Sequence, residues 1–236
     1  MQPTVVDAFH VKHCGVYHGV VPRETIMSTE SKLRHASEWL GVAWSDDQLA
    51  MLVRFEQWLL EEATVAGGIG PDEGDRLFDR HIADSLAFLT LIERDTSTVV
   101  DVGSGVGLPA IPLAIALPHT KVTIVDRSER RTRLARRALR VLSLENVAVI
   151  TADINDIDAV FDVVTFRASL RIDAAADAFV KLTDDLGTGI FAWSRKEHPK
   201  SPPQARNGTT FVLVPEGEGV LDTPAWLLRM QRSRTT

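Results

Sequence analysis

The sequence predicts an α/β fold: a mostly parallel seven-stranded sheet of Rossmann-like type, wrapped by helices and preceded by a helical extension. Three observations carry this. After Thr98 short β-rich apolar runs alternate with amphipathic helical runs, the pattern of parallel strands joined by right-handed crossover helices. Between Ser31 and about Glu93 the apolar residues recur only at three- and four-residue spacings, with no strand-like alternation. Between Val99 and Ala116 a β-rich run ends at Asp101, glycines follow at Gly103, Gly105 and Gly107, and a small-residue helix begins.

The chain divides accordingly into a leader (1–28), a helical subdomain (29–95) and a sheet domain (96–236). Residues 1–28 show no apolar period and read as disordered; His10, His13, Cys14 and His18 are clustered there, but nothing nearby would hold a metal geometry. Met27 is a candidate natural start. In the helical subdomain, Leu33, Ala36 and Leu40 mark a first helix ended by Gly41, and Leu49, Leu52, Phe55 and Trp58 mark a second, capped from Ser45-Asp46-Asp47. The Gly67–Pro71 run breaks the chain before a third, carried by Leu77, Phe78, Ile82, Leu86 and Leu89. Trp39, Trp44, Trp58 and Phe55 are expected to pack this layer.

Strands are expected at 99–102, 121–126, 147–150, 161–166, 190–193, 211–214 and 226–230, with helices near 108–117, 128–144 and 172–185. The segment 195–208, with three prolines and many polar residues, is expected to be a mobile loop.

Composition excludes several classes. With 236 residues, 44% of them hydrophobic, the chain can bury a full core. A net charge of −6 rules out a surface basic all over, so a nucleic acid would have to meet a local patch. One cysteine excludes an intramolecular disulfide and a multi-cysteine zinc site, in keeping with a reducing cytoplasm, and no metal site is assigned. Residues 102–120 lack Asp, Glu, Lys and Arg, but their three glycines and three prolines argue for a turn and a buried helix, and no membrane partner is expected. No secretory pattern heads the chain.

In such a sheet ligands sit at the carboxyl ends of the strands. The glycine loop presents backbone N–H groups and a helix N-terminus to whatever lies there. Asp126 closes the second strand, 19 residues after Gly107, where a carboxylate can accept both hydroxyls of a ribose. Ala152-Asp153 follows the third strand and Arg167 ends the fourth. Counted from Gly105, the Gly-x-Gly-x-x-Ala spacing through Gly107 and Ala110 also admits a dinucleotide such as NAD. No Gly-Lys-Ser or Gly-Lys-Thr follows, which argues against an ATP-binding phosphate loop.

Asp101-Val102-Gly103-Ser104-Gly105-Val106-Gly107 resembles the first motif of class I S-adenosylmethionine-dependent methyltransferases. The continuation Leu108 to Ala116, together with Arg80-His81-Ile82-Ala83-Asp84-Ser85, Leu144-Glu145-Asn146-Val147 and Phe161 to Ala168, is similar to the bacterial 16S rRNA guanine-N7 methyltransferases, the glucose-inhibited division protein B family. The resemblance spans roughly residues 73–185. It implies S-adenosylmethionine as cofactor, contacted by Gly103, Leu108, Ala152, Asp153 and Arg167, with Asp126 at the general ribose position. Asp101, Ser104, Gly105 and Gly107 complete the expected cofactor-binding set. It also implies 16S rRNA or the 30S subunit as partner, in the cytoplasm, and we expect a monomer.

Guanine N7 carries a free lone pair, so methyl transfer needs alignment rather than a general base. No catalytic acid or base is therefore assigned; Arg167 is the candidate for steering a phosphate or the cofactor carboxylate. The helix after Asp126 is rich in arginine. Arg133, Arg136, Arg137 and Arg140 share a face opposite Leu134, Ala138, Val141 and Leu142, and with Arg195 and Lys196 they are the RNA-binding candidates. The same arginines also fit a plain solvated face.

Two departures from the family stand out. Phe166 occupies the place of a usual serine, and Ile190 to Lys196 lacks the usual Lys-Gly ending of the fifth strand. They leave open a diverged methyltransferase acting on another RNA or a small molecule. A non-catalytic or NAD-binding Rossmann-like module is the reading from another class.

Overall fold

The computed structural model describes residues 28–194, 199, 201–216, 221 and 225–233. Ser28 apart, the leader with its His10, His13, Cys14 and His18 cluster and Met27 lies outside the described residues, as do Arg195 and Lys196.

Helix α1 (Thr29–Leu40) begins at Ser28, whose hydroxyl accepts from the Ser31 N–H, and ends at Gly41 in the left-handed region. Helix α2 (Asp46–Trp58) opens with a reciprocal capping box between Ser45 and Gln48. The Gln48 side chain also donates to the Ile115 carbonyl at 2.7 Å, so the cap ties this helix to the sheet domain.

The expected third helix is not regular. It is a 3₁₀ turn (Gly74–Arg76), a π-helical stretch (Phe78–Ala83), a single α-turn α3 (Asp84–Leu86) and a second 3₁₀ turn (Ala87–Leu91). Its inward residues Leu77, Phe78, Ile82 and Leu86 are buried as expected. The winding changes because other groups claim its carbonyls: the Ser85 hydroxyl donates to that of His81, and Arg167 to that of Arg80. Phe55 and Trp58 stack at 6.0 Å and 8° inside this layer, while Trp44 packs against it half-buried.

The sheet has the order β3-β2-β1-β4-β5-β7-β6. Strands β1 (Thr98–Val102), β2 (Lys121–Asp126), β3 (Val147–Thr151), β4 (Val163–Phe166) and β5 (Thr188–Ser194) are parallel; β7 (Ala225–Arg232) runs antiparallel to both β5 and β6 (Thr209–Glu216). Strand β4 starts two residues later than expected. Asp162 is taken out of the ladder to accept from Ser97 N, Thr98 N and the Thr98 hydroxyl at 2.8–3.0 Å.

Helices α4 (Ala110–Ala116), α5 (Glu129–Leu142) and α6 (Ile172–Leu182) cover the sheet. One face packs against the helical subdomain, α4 and α5 through Leu52, Phe55, Ile82, Leu113 and Ile124; the other packs against α6 through Val164, Phe166, Phe179 and Met230. Asn146 donates its amide to the carbonyls of Ala114, Leu117 and Thr120, pinning the end of α4 to the start of β3.

Helix α5 is rotated from the expected orientation. Its buried stripe is Thr132, Ala135, Ala138 and Leu142, and Val141 is 39% exposed. Two alanines let the helix approach closely along the 135/138 line, which swings Val141 outward. At the described end of the 195–208 segment, Arg206 pairs with Asp173 on α6, and Asn207 donates to Asp177.

Candidate active site

At the carboxyl ends of β1, β2 and β3 lies a cleft of about 230 Å³, lined among others by Gly103, Asp126, Arg127, Arg131, Ala152, Asp153 and Ser169. The glycine loop forms its floor. Gly103 has φ +71°, and a Cβ there would sit 2.3 Å from the Ser169 Cβ, so only glycine permits this approach of the β4 loop to the β1 loop. The Gly107 and Leu108 N–H groups both bond to the Ser104 carbonyl at 3.0 Å, turning the chain into α4.

Asp126 is 5% exposed and organises the loop around it. Its Oδ2 accepts from Gly105 N at 2.9 Å and its Oδ1 from Ser128 N at 2.8 Å, joining the glycine turn to the start of α5. Asp101 is fully buried and accepts from the Thr165 hydroxyl at 2.8 Å and from Ala110 N at 3.3 Å. Burial pushes its carboxyl up to about 6, against the hydrogen bonds that favour the carboxylate. It is a brace between β1, β4 and α4, away from the cleft. Asp153 caps its own turn, accepting from Asn155 N at 3.0 Å and from the Asn155 amide at 2.8 Å.

The expected cofactor residues therefore divide. Gly103, Asp126, Ala152 and Asp153 line the cleft. Asp101, Ser104 and Leu108 are buried beneath the loop, and Gly105 and Gly107 shape it through positive φ. Arg167 faces elsewhere. Its Nε donates to Asp84 Oδ2 at 3.2 Å, and its Nη2 to the Arg80 carbonyl at 2.6 Å, with His81 Nδ1 at 3.3 Å. It lines a second cleft of about 330 Å³, with Arg80, Asp84, Ala192, Trp226 and Leu227. The two clefts share Ala168, a non-glycine residue at φ +52°. That left-handed residue sends Arg167 to one side and Ser169 to the other.

His81 lies behind Arg167. Burial, and then the neighbouring guanidinium, hold its imidazole down at about 4, although Glu73 Oε2 is 3.4 Å from Nε2. At neutral pH it is uncharged, so the Glu73 contact is not an ion pair.

The arginines of α5 have different partners. Arg130 donates to the carbonyls of Ala66 and Gly67, and Arg137 pairs with Glu62, so both dock the helical subdomain onto α5. A Cβ at Gly68 would meet Val106 Cγ1 at 2.5 Å, which shows how closely that turn lies on the glycine loop. Arg136 donates to the Val149 carbonyl and the Thr151 hydroxyl on edge strand β3. Arg133 pairs with Glu129 on the exposed surface at 3.0 Å, and Arg140 is exposed. Sequence reasoning missed Ser169 and Arg131 as lining residues of the first cleft and Asp84 as one of the second. Only the Arg80–Ser85 motif signalled the last of them.

The dinucleotide-binding sheet has the order 3-2-1-4-5-6 with its strands parallel. Here a reversed β7 is wedged between β5 and β6, and the domain is a class I methyltransferase fold. Solved structures agree at the level of fold: a putative O-methyltransferase from Klebsiella pneumoniae (TM-score 0.52, 12% identity, 76% of this chain and 90% of that one), and MtNAS in complex with S-adenosylmethionine (TM-score 0.51, 16% identity, 89% and 86%).

The family described as GidB, rRNA small subunit methyltransferase G, matches residues 48–200, and the chain belongs to it. A relative from Corynebacterium efficiens, ribosomal RNA small subunit methyltransferase G, is 32% identical over 90% of this chain and 93% of its own. One of the same name from Acidothermus cellulolyticus is 40% identical over 58% of this chain. The chain spans 57% of that second relative's length.

Proposed function

We propose that this protein transfers a methyl group from S-adenosylmethionine to N7 of a guanine in 16S rRNA, working as a cytoplasmic monomer on the small ribosomal subunit. The observation that carries this reading is family membership over residues 48–200, the stretch that contains the whole cleft at the ends of β1, β2 and β3. Among the described residues no helix is long and apolar enough to cross a membrane.

The residues present fit the cofactor. Each Asp126 oxygen accepts one backbone N–H, which leaves a second lone pair on each for the two ribose hydroxyls. The Ser169 hydroxyl oxygen is buried at the cleft wall with no hydrogen-bond partner among the described residues, a polar group waiting for a ligand. Ala152 and the backbone at Asp153 border the cleft where an adenine edge would lie.

When bound, S-adenosylmethionine supplies an electrophilic methyl group; its carbon bonds to N7 as the C–S bond breaks, with the bonding pair left on sulfur. No proton leaves guanine N7, so the chain has no base to provide, and neutral His81 and buried Asp101 are not asked to act as one. The protein contributes orientation. Asp126 and the glycine loop hold the donor in the cleft at the ends of β1, β2 and β3.

The test is transfer of tritiated methyl groups to 30S subunits and to naked 16S rRNA, followed by strand scission specific for N7-methylguanine. Label at one guanine N7 is the expected result. Label at another base or atom, or none, overturns the reading.

A further inference from the structure

We propose that the Ala66–Gly68 turn of the helical subdomain is a positioning element for the cofactor loop: it bears on Val106, keeps the neighbouring Gly105 N–H on Asp126, and so sets the affinity for S-adenosylmethionine from outside the cleft. This rests on the cofactor reading above. Neither Gly68 nor Val106 lines the cleft. Val106 follows directly on Gly105, however, whose N–H donates to Asp126 Oδ2 at 2.9 Å, and Asp126 is the carboxylate assigned to the ribose hydroxyls.

Val106 is 3% exposed and belongs to the core between the sheet and the helical subdomain. A Cβ built on Gly68 would lie 2.5 Å from Val106 Cγ1, with the Ala63 carbonyl oxygen and Leu134 Cδ1 each at 3.2 Å. Carbon atoms in contact are about 3.5–4.0 Å apart, so Val106 already fills the space a side chain would need, and its β-branch makes it stiff. The turn has little room to retreat. Gly67 N donates to the Thr64 carbonyl at 2.9 Å and Gly68 N to that of Ala63 at 2.7 Å. From α5, Arg130 donates to the carbonyls of Ala66 and Gly67 at 2.8 and 3.2 Å, and Arg137 pairs with Glu62 just before the turn.

Helix α5 is keyed to the same carboxylate as the loop, because the N–H of its cap residue Ser128 donates to the other Asp126 oxygen. The contacts therefore close a ring: Gly68 to Val106, Gly105 to Asp126, Asp126 to Ser128, and Arg130 back to Ala66 and Gly67. Packed interiors transmit a displacement rather than absorb it, so a push at Gly68 reaches the ribose carboxylate through one loop residue. By linkage the effect runs both ways, and a ligand held by Asp126 steadies the turn.

The test is a cycle of Gly68→Ala, Val106→Ala and the double variant, read by calorimetry with S-adenosylmethionine, with urea unfolding to show that each protein is folded. Gly68 lies outside the left-handed region, so alanine adds the contact without backbone strain. Gly68→Ala is expected to weaken cofactor binding about tenfold, the cost of disturbing one hydrogen bond to a charged group. It should raise KM for the cofactor by a similar factor and keep kcat on 30S subunits within about threefold of wild type. Adding Val106→Ala, which removes Cγ1, should bring binding back to within about threefold of the Val106→Ala protein. A merely structural contact would lower stability and leave the affinity of the folded protein unmoved. Amide exchange on the wild type decides the matter should Gly68→Ala not fold: saturating S-adenosylmethionine should slow exchange across residues 66–68 by about tenfold, well beyond any slowing in α1.

Folded Gly68→Ala with wild-type affinity overturns the inference, as does a loss that Val106→Ala leaves unrelieved. Exchange at 66–68 that the cofactor slows no more than exchange in α1 overturns it too. Wild-type protein that binds no S-adenosylmethionine overturns the cofactor reading instead, and this inference with it.

Discussion

Gly103→Ala tests the architecture of the proposed cofactor cleft most directly. The new Cβ would lie 2.3 Å from the Ser169 Cβ, on a residue at φ +71°. The left-handed conformation costs a residue with a Cβ about 1–2 kcal/mol. The overlap adds about 1–3 kcal/mol, since Ser169 sits on the backbone turn that follows β4 and cannot simply rotate away. The total is about 2–5 kcal/mol, a large part of the stability of a typical domain. Ser169→Gly removes the overlap and leaves the conformational cost, so in that background Gly103→Ala should cost only about 1–2 kcal/mol. Urea unfolding of the four proteins measures the coupling directly, expected at about 1–3 kcal/mol. A coupling below about 0.5 kcal/mol would show that the two loops do not meet as described, and the reasoning would fall. In calorimetry the alanine variant should lose S-adenosylmethionine affinity by more than Ser169→Gly alone, because the overlap displaces two walls of one cleft.

Three further outcomes are expected. Asp126→Ala orphans the Gly105 and Ser128 N–H groups as well as removing the proposed ribose acceptor; it should lower stability by about 1–3 kcal/mol and S-adenosylmethionine affinity by at least about tenfold, and unchanged affinity would remove Asp126 from the site. Asp101, raised from 3.8 to about 6, holds its proton more tightly in the folded state, so its contribution is complete below pH 4 and is lost as the pH rises through 6. Asp101→Asn should therefore gain about 2 kcal/mol relative to wild type between pH 4 and pH 7, and an equal difference at both pH values in urea unfolding would contradict the burial argument. Replacing exposed Arg133 and Arg140 by Glu should weaken 30S binding and flatten its salt dependence by about two phosphate contacts; an unaltered salt slope would leave that face merely solvated.

Much of the fold was legible because its signals are local. Period, β-branched runs and cap residues depend on neighbours a few positions away, so Lys121–Asp126 was placed to the residue and the Ser45 cap was found from its own tripeptide. The cleft was legible for a similar reason. In a parallel sheet every strand delivers its last residues to one edge, so Gly103, Asp126 and Asp153 had to meet there once the strands were in order. Reading failed where a long-range partner overrode a local preference. The third helix lost its regular winding to Ser85 and Arg167, and β4 lost its first residues to the bonds Asp162 makes with Ser97 and Thr98.

The sequence by itself determined the order of elements, the glycine loop and the carboxylate that closes β2, since these follow from backbone conformation and short-range periodicity. Only the tertiary structure decided where the arginines point. Arg137 reaches Glu62 across 75 positions, Arg130 reaches Ala66 across 64, and Arg167 turns 83 positions back to Asp84. A guanidinium on a long flexible stem takes whatever acceptor the packed elements bring within reach, and which acceptor that is depends on the fold rather than on the residues beside it.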